Sequence, residues 1–220
     1  MSARDLVIVG CGGHGREVFG VVEAVNRAGP APAWRVIGFV DDDPSPANKD
    51  RLDRLGAVLL GAVDWLTGQG DPPAYVIGIG LPAYRRAVGQ RIEAARPAAE
   101  PLVAATLIHP SATVGPDSRI GAGSVLFAGA RVTTNVTLGR HVHINQNGVV
   151  GHDTTVADYG SVGPLAAVSG SCTLDEAVLV GTTAAILQGR RVGAAATVGA
   201  SACVVRDVLP GAVVKGVPAR

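Results

Sequence analysis

From Ile108 to Val204 an aliphatic residue recurs at every sixth position, giving seventeen consecutive sites that are each Ile, Val or Leu. The step after this beat is often Gly (Gly115, Gly121, Gly139, Gly151, Gly163, Gly181, Gly193, Gly199). The fourth step is often small or β-branched (Ala112, Ser118, Ser124, Ala130, Thr154, Ala166, Cys172, Ala184). A fixed short period of this kind predicts a parallel β-helix. Each hexapeptide supplies one short strand and one tight turn, so three close a triangular coil of about eighteen residues, and the repeat makes five to six coils. The beat points inward and stacks on the coil above. Gly beside it supplies the backbone freedom of a corner, and the small fourth residue fits under the next turn.

Before the repeat the pattern changes. Residues 5–10 are an apolar run ending in Cys11-Gly12-Gly13-His14-Gly15-Arg16-Glu17, followed by an amphipathic stretch to about Ala28. That reads as strand, Gly-rich turn and helix. A second strand, Trp34 to Val40, ends in Asp41-Asp42-Asp43-Pro44, and a third, Ala74 to Ile79, ends in Gly80. A helix from about Ala83 to Ala95 leads into a proline-bearing linker, Pro97 to Pro101. Alternating strands and helices predict a small parallel Rossmann-type sheet that binds ligands at the carboxyl ends of its strands. The chain therefore divides into an α/β domain over residues 1–100 and an all-β solenoid over residues 101–220.

The turn Gly10-x-Gly12-Gly13-x-Gly15 approximates the dinucleotide fingerprint but is one residue short of it. Its glycines still let backbone approach a phosphate, and the helix N-terminus behind them favours negative charge. Asp41 and Asp42 could accept hydrogen bonds from a ribose, a base or a sugar, or could simply be a solvated turn before Pro44. Nothing here supports hydride chemistry.

Composition narrows the classes. Of 220 residues 47% are hydrophobic, ample for a core, and the net charge of +1 leaves no electrostatic footprint for nucleic acid or an anionic membrane. No apolar run reaches the length of a membrane span, and residues 1–10 lack the layout of a signal peptide, so a cytoplasmic protein is expected. Cys11, Cys172 and Cys203 have no metal-ligand spacing and read as free thiols, the latter two as packing residues on repeat positions.

The segments VIVGCGGHGREV (7–18), FVDDD (39–43), LIHPSATVG (107–115) and GHD (151–153) occur in this order across nearly the whole chain. Together they resemble the sugar O- and N-acyltransferases of the sialic acid O-acetyltransferase type. That family includes enzymes that acetylate the amino group of nucleotide-linked 4-amino-4,6-dideoxy sugars. Hexapeptides of the I-G-x-x-S-x kind are similar to those of the left-handed β-helix, an exception to right-handed crossovers. The resemblance implies a nucleotide-sugar-binding first domain, acetyl-CoA as co-substrate without a metal, and a homotrimer with active sites between neighbouring subunits. It places the nucleotide-sugar contacts on Gly10, Gly12, Gly13, His14, Gly15, Asp41 and Asp42, and an acceptor contact on Asn145. Ser161, Gly170 and Gly181 would meet acetyl-CoA in the outer groove between coils.

Acyl transfer from a thioester requires a base to take the proton as the nucleophile attacks. His109 lies at the start of the solenoid beside Pro110 and reads as structural. His141 and His143 share one hexapeptide, so at least one should face outward. His152 lies two steps past the beat Val150, faces outward and is followed by Asp153, whose carboxylate can raise its basicity and hold its tautomer. Adjacent residues on a strand point to opposite sides, so that bond requires a turn. The family's base is the His of an H-D or H-E pair, which implies His152 as the base and Asp153 as its orienting partner. No serine has an activated arrangement, so direct attack without an acyl-enzyme is expected. Holding acceptor and thioester together, with a donor at the developing oxyanion, should supply most of the acceleration.

Two positions depart from the family. A second His commonly stands nine residues after the base, where this chain has Ser161, and the acid that usually precedes the base is Gly151. N-acetylation of an amino sugar leads the readings, ahead of O-acetylation of a sialic acid or related sugar. A catalytically silent nucleotide-sugar-binding trimer is the second class. A metal hydro-lyase similar to γ-class carbonic anhydrase is the third; it would need His141, His143 and His152 to converge across an interface.

Overall fold

The computed structural model describes residues 3–97 and 101–220. The chain forms two compact units that divide between Leu107 and Ile108, with Leu81–Ala83 grouped with the second. The boundary thus falls later than residue 100. The reason is that residues 102–105 extend the first unit: Tyr75 N–H donates to the Val103 carbonyl, Ala105 N–H donates to the Tyr75 carbonyl, and Leu102 and Ala104 pack on its core. Of the expected Pro97–Pro101 linker, residues 98–100 lie outside the described residues.

The first unit runs β1 (Arg4–Val9), α1 (Gly13–Ala28), β2 (Trp34–Val40), α2 (Pro46–Arg54), β3 (Leu59–Gly61), α3 (Asp64–Thr67), β4 (Ala74–Ile77) and α4 (Pro82–Ala94). Its strands form a parallel sheet in the order β3-β2-β1-β4. Leu6, Val7, Ile8 and Val9 are all fully buried, the continuous apolar run of a parallel strand covered on both faces. The sheet has one strand more than the expected three, and α2 and α3 were not anticipated. α2 begins at a Ser45 cap whose Oγ accepts from Asn48 N–H at 3.3 Å, with Pro46 in its first turn. α1 buries Gly15, Val18 and Val22, one helical stripe. A Cβ on Gly78 would lie 2.5 Å from the Gly15 Cα, so glycine at both places lets α1 sit against the sheet.

The second unit is a left-handed parallel β-helix. All seventeen beats end a two-residue strand, from Leu107–Ile108 to Cys203–Val204. Each strand up to Ala185–Ile186 pairs with the one eighteen residues on, as His143 and Ile144 do with Ser161 and Val162, which builds three parallel sheets. From Leu126 onward every beat is buried in one continuous core. Ile108 and Val114 remain 38% exposed because the first coil has none before it to stack on. The period stops at Val204 because the last coil is two residues shorter: Val208 faces Val192 and Val213 faces Thr197.

The corners correct one expectation. Left-handed backbone falls on the third step after the beat, and twelve of those residues are not glycine, Asn135 (φ 53°), His141 (φ 54°) and Asp153 (φ 59°) among them. Apart from Asp117 in the first coil, their N–H groups are held by the preceding coil, as Asn135 N–H is by the Pro116 carbonyl at 3.0 Å, which offsets the steric cost. Glycine on the first step serves another purpose, because the next coil's backbone occupies its Cβ position. At Gly181 a Cβ would lie 2.7 Å from Ala200 N. On the fourth step, Ser124 Oγ donates to the Gly139 carbonyl at 2.9 Å and accepts from Val142 N–H at 3.0 Å, knitting successive coils.

Candidate active site

His152 and Asp153 occupy one solenoid corner. The left-handed turn at Asp153 swings its carboxylate back toward the preceding ring, and His152 Nδ1 lies 2.6 Å from Asp153 Oδ2. The turn thus supplies the bond that an extended strand would forbid. Asp153 Oδ1 accepts from Asn135 Nδ2 at 2.7 Å, one coil earlier at the equivalent corner. Hydrogen bonds from Asn135 first, and from His152 second, hold the Asp153 carboxyl below the usual carboxylate range. With Nδ1–H donated to the carboxylate, Nε2 presents a lone pair away from it. Both side chains are half exposed, at 51% and 50%.

Gly170, expected to meet acetyl-CoA, lies one coil below His152 and is buried. A Cβ there would sit 2.5 Å from His152 Nε2, so the missing side chain is the ring's seat. Gly170→Ala should displace the ring and lower kcat about tenfold or more, while acetyl-CoA KM and melting temperature change little. Steady-state kinetics and a thermal melt check this; a raised acetyl-CoA KM with normal kcat would restore the binding role. The other two residues expected to meet acetyl-CoA also sit against neighbouring coils. Gly181 is a coil-stacking glycine. Ser161 is 1% exposed and pairs with His143 in the ladder.

Both histidines of the shared hexapeptide are buried. His141 is buried and stacks on Tyr159 with ring centroids 5.2 Å apart, and His143 is buried edge-on to Phe127 at 6.0 Å. His109 Nδ1 accepts from Ser111 N–H at 3.1 Å in a local turn, the structural role expected of it. Among the described residues no group of three or more His, Cys, Asp or Glu could hold a metal ion. Asn145 takes the place that glycine holds in many coils, and its Nδ2 donates to the Val162 carbonyl at 2.9 Å.

In the first unit the Gly-rich turn, Asp41–Asp43 and Gly78–Gly80 gather at the carboxyl ends of β1, β2 and β4, where the strand order reverses. Gly12 and Gly13 line the mouth of this turn, with no backbone near the place a Cβ would take, and α1 starts there without a side-chain cap. Its first N–H groups point to an open, anion-favouring position. His14 stands in the same helical turn, 3.3 Å from the Glu17 carboxylate and packed on Gly80. Gly10 and Gly15 are buried behind the turn and serve packing.

Asp41 and Asp42 both have partners within the unit, and the Asp42 side chain stays 42% exposed. Asp41 accepts from Cys11 N–H at 2.8 Å and Asp43 N–H at 3.0 Å, which fixes the turn. Asp42 accepts from Val63 N–H and pairs with Arg91 at 2.6 Å, and the guanidinium holds its carboxyl below the ordinary range. Arg16 was not anticipated as a site residue. It bonds the Cys11 carbonyl at 2.8 Å and Asn48 Oδ1 at 3.0 Å, placing a cation beside the turn; its position three residues past Gly13 was the signal available. Burial first, and then Asp41, pushes the Cys11 thiol up to about 12, so it stays protonated and is no nucleophile.

Comparison with known proteins agrees with this geometry. Residues 5–92 match the PglD N-terminal domain. GDP-perosamine N-acetyltransferase from Escherichia coli O157:H7 is 31% identical over 84 residues, and the chain spans 38% of that relative's length. Over 100% of this chain and 97% of the other, the fold matches PerB from Caulobacter crescentus in complex with CoA and GDP-perosamine (TM-score 0.84, 28% identity). It also matches the acetyltransferase domain of PglB from Neisseria gonorrhoeae FA1090 in complex with acetyl coenzyme A (TM-score 0.80, 28% identity, 100% and 99% covered).

Proposed function

We propose that this chain, whose residues 5–92 belong to the PglD N-terminal domain family and whose full length has the fold of sugar N-acetyltransferases, transfers an acetyl group from acetyl-CoA to the amino group of a nucleotide-linked sugar. A 4-amino-4,6-dideoxy sugar is the acceptor class. The observation that carries the reading is the half-exposed His152–Asp153 pair on a rigid corner of a fold that its neighbours use with CoA and GDP-perosamine.

In this reading His152 Nε2 takes a proton from the acceptor amine as its nitrogen attacks the thioester carbonyl. The C–S bond then breaks, the imidazolium gives its proton to the departing sulfur so that CoA leaves as the thiol, and the amide remains on the sugar. Asp153, ionised and bonded to Nδ1, stabilises the imidazolium that forms. The open turn at Gly12 and Gly13 with the N-terminus of α1 takes the diphosphate, and the Asn145 carboxamide oxygen contacts the acceptor sugar. The active assembly is a homotrimer, and the protein works in the cytoplasm. No helix among the described residues is long and apolar enough to cross a membrane.

A thiol-release assay with acetyl-CoA and a panel of UDP-, dTDP-, GDP- and CMP-linked sugars, 4-amino sugars included, tests this. Turnover with a nucleotide-linked amino sugar is the expected result. Turnover only with hydroxyl acceptors would replace N- by O-acetylation, and binding without turnover would favour a silent binding protein.

A further inference from the structure

We infer that Asn135 is a positioning residue for the catalytic pair, a role that rests on His152 acting as the base. Asn135 and Asp153 occupy the same corner of successive coils, eighteen residues apart, and both have left-handed backbone. The Asn135 carboxamide donates to Asp153 Oδ1 at 2.7 Å while Asp153 Oδ2 meets His152 Nδ1 at 2.6 Å, so one carboxylate is gripped at both oxygens.

A second grip matters because the pair is half exposed. A lone surface carboxylate exchanges its partner for water at little cost, and an imidazole so held would lose its orientation. Asn135 removes that freedom by fixing the Asp153 rotamer from a coil that is itself anchored through Asn135 N–H to the Pro116 carbonyl. The buried Gly170 below the ring supplies the opposing surface. The imidazole is therefore set by three successive coils, with donor, acceptor and ring in line. Residue type follows from this: asparagine tolerates the left-handed corner and donates, whereas aspartate would fit the same backbone but set carboxylate against carboxylate.

The test uses the full chain, acetyl-CoA and the nucleotide-linked amino sugar found to turn over. Asn135→Gly keeps the left-handed corner without strain and deletes the donor. It should lower kcat about tenfold at unchanged KM for both substrates and nearly unchanged melting temperature. Asn135→Asp, which reverses the donor, should lose more. The deciding measurement is a double-mutant cycle: in an Asp153→Ala background, itself slowed, Asn135→Gly should have no further effect, because its only route to the ring is gone. Wild-type kcat in Asn135→Gly, or the same tenfold loss in both backgrounds, would overturn the inference. Full turnover in His152→Ala would instead overturn the functional reading on which it rests.

Discussion

Alanine at position 152 should reduce thiol release by about 10²- to 10⁴-fold, the usual contribution of a positioned general base. The protein should otherwise be unchanged. The imidazole is half exposed, so its removal opens no core cavity. The corner is held by backbone that the substitution leaves in place: the His152 carbonyl accepts from Ser171 N–H at 2.7 Å, and Asp153 N–H donates to the Thr134 carbonyl at 3.2 Å. Acetyl-CoA KM, nucleotide binding by calorimetry and melting temperature should match wild type. Because the Asp153 carboxyl is held below its ordinary range, it remains ionised wherever an imidazole titrates. Retained turnover in His152→Ala would remove His152 from the chemistry, and a parallel loss of folding would make its role structural.

The solenoid was legible because a beat of six cannot be satisfied by any other stacking: each of the seventeen aliphatic residues ends a strand. Its corners were less so. Glycine drew attention to the first step, yet the left-handed residue is on the third and includes Leu165, Ala177 and Thr183, since hydrogen bonds to the preceding coil fix that backbone almost regardless of side chain. His152 and Asp153 could be singled out from their outward position and adjacency. Asn135 and Gly170 stand one eighteen-residue coil away from the pair, but the period alone does not show that the first donates to the carboxylate or that the second seats the ring. In the first unit, the local pattern at Asp41 and Asp42 could not reveal partners as distant as Cys11, Val63 and Arg91. β3 is only three residues long and half-buried at the sheet edge, too short for a period to register.

Gly163→Ala should be among the most destabilising single-methyl additions in the molecule. Its Cβ would lie 2.7 Å from the Val180 carbonyl oxygen and 2.9 Å from both Gly181 C and Thr182 N, all backbone. Side chains in a core can rotate away from an intruding methyl, but these atoms cannot. Gly163 N–H donates to that same Val180 carbonyl at 2.8 Å, and Gly181 N–H is committed to the Val198 carbonyl at 2.7 Å in the next coil. Relief requires spreading coils that are laddered together on three faces. Overpacking with no flexible neighbour should cost about 3 kcal/mol, and for a chain of this size lower the melting temperature by roughly 10 °C. Gly189→Ala is the control. Gly189 has left-handed φ of 70° with open space around its Cβ, so alanine there should cost only about 1 kcal/mol of backbone strain. If thermal melts rank the two the other way, glycine in this repeat is selected for its dihedral angles after all, and the close approach of successive coils is not what constrains the first step.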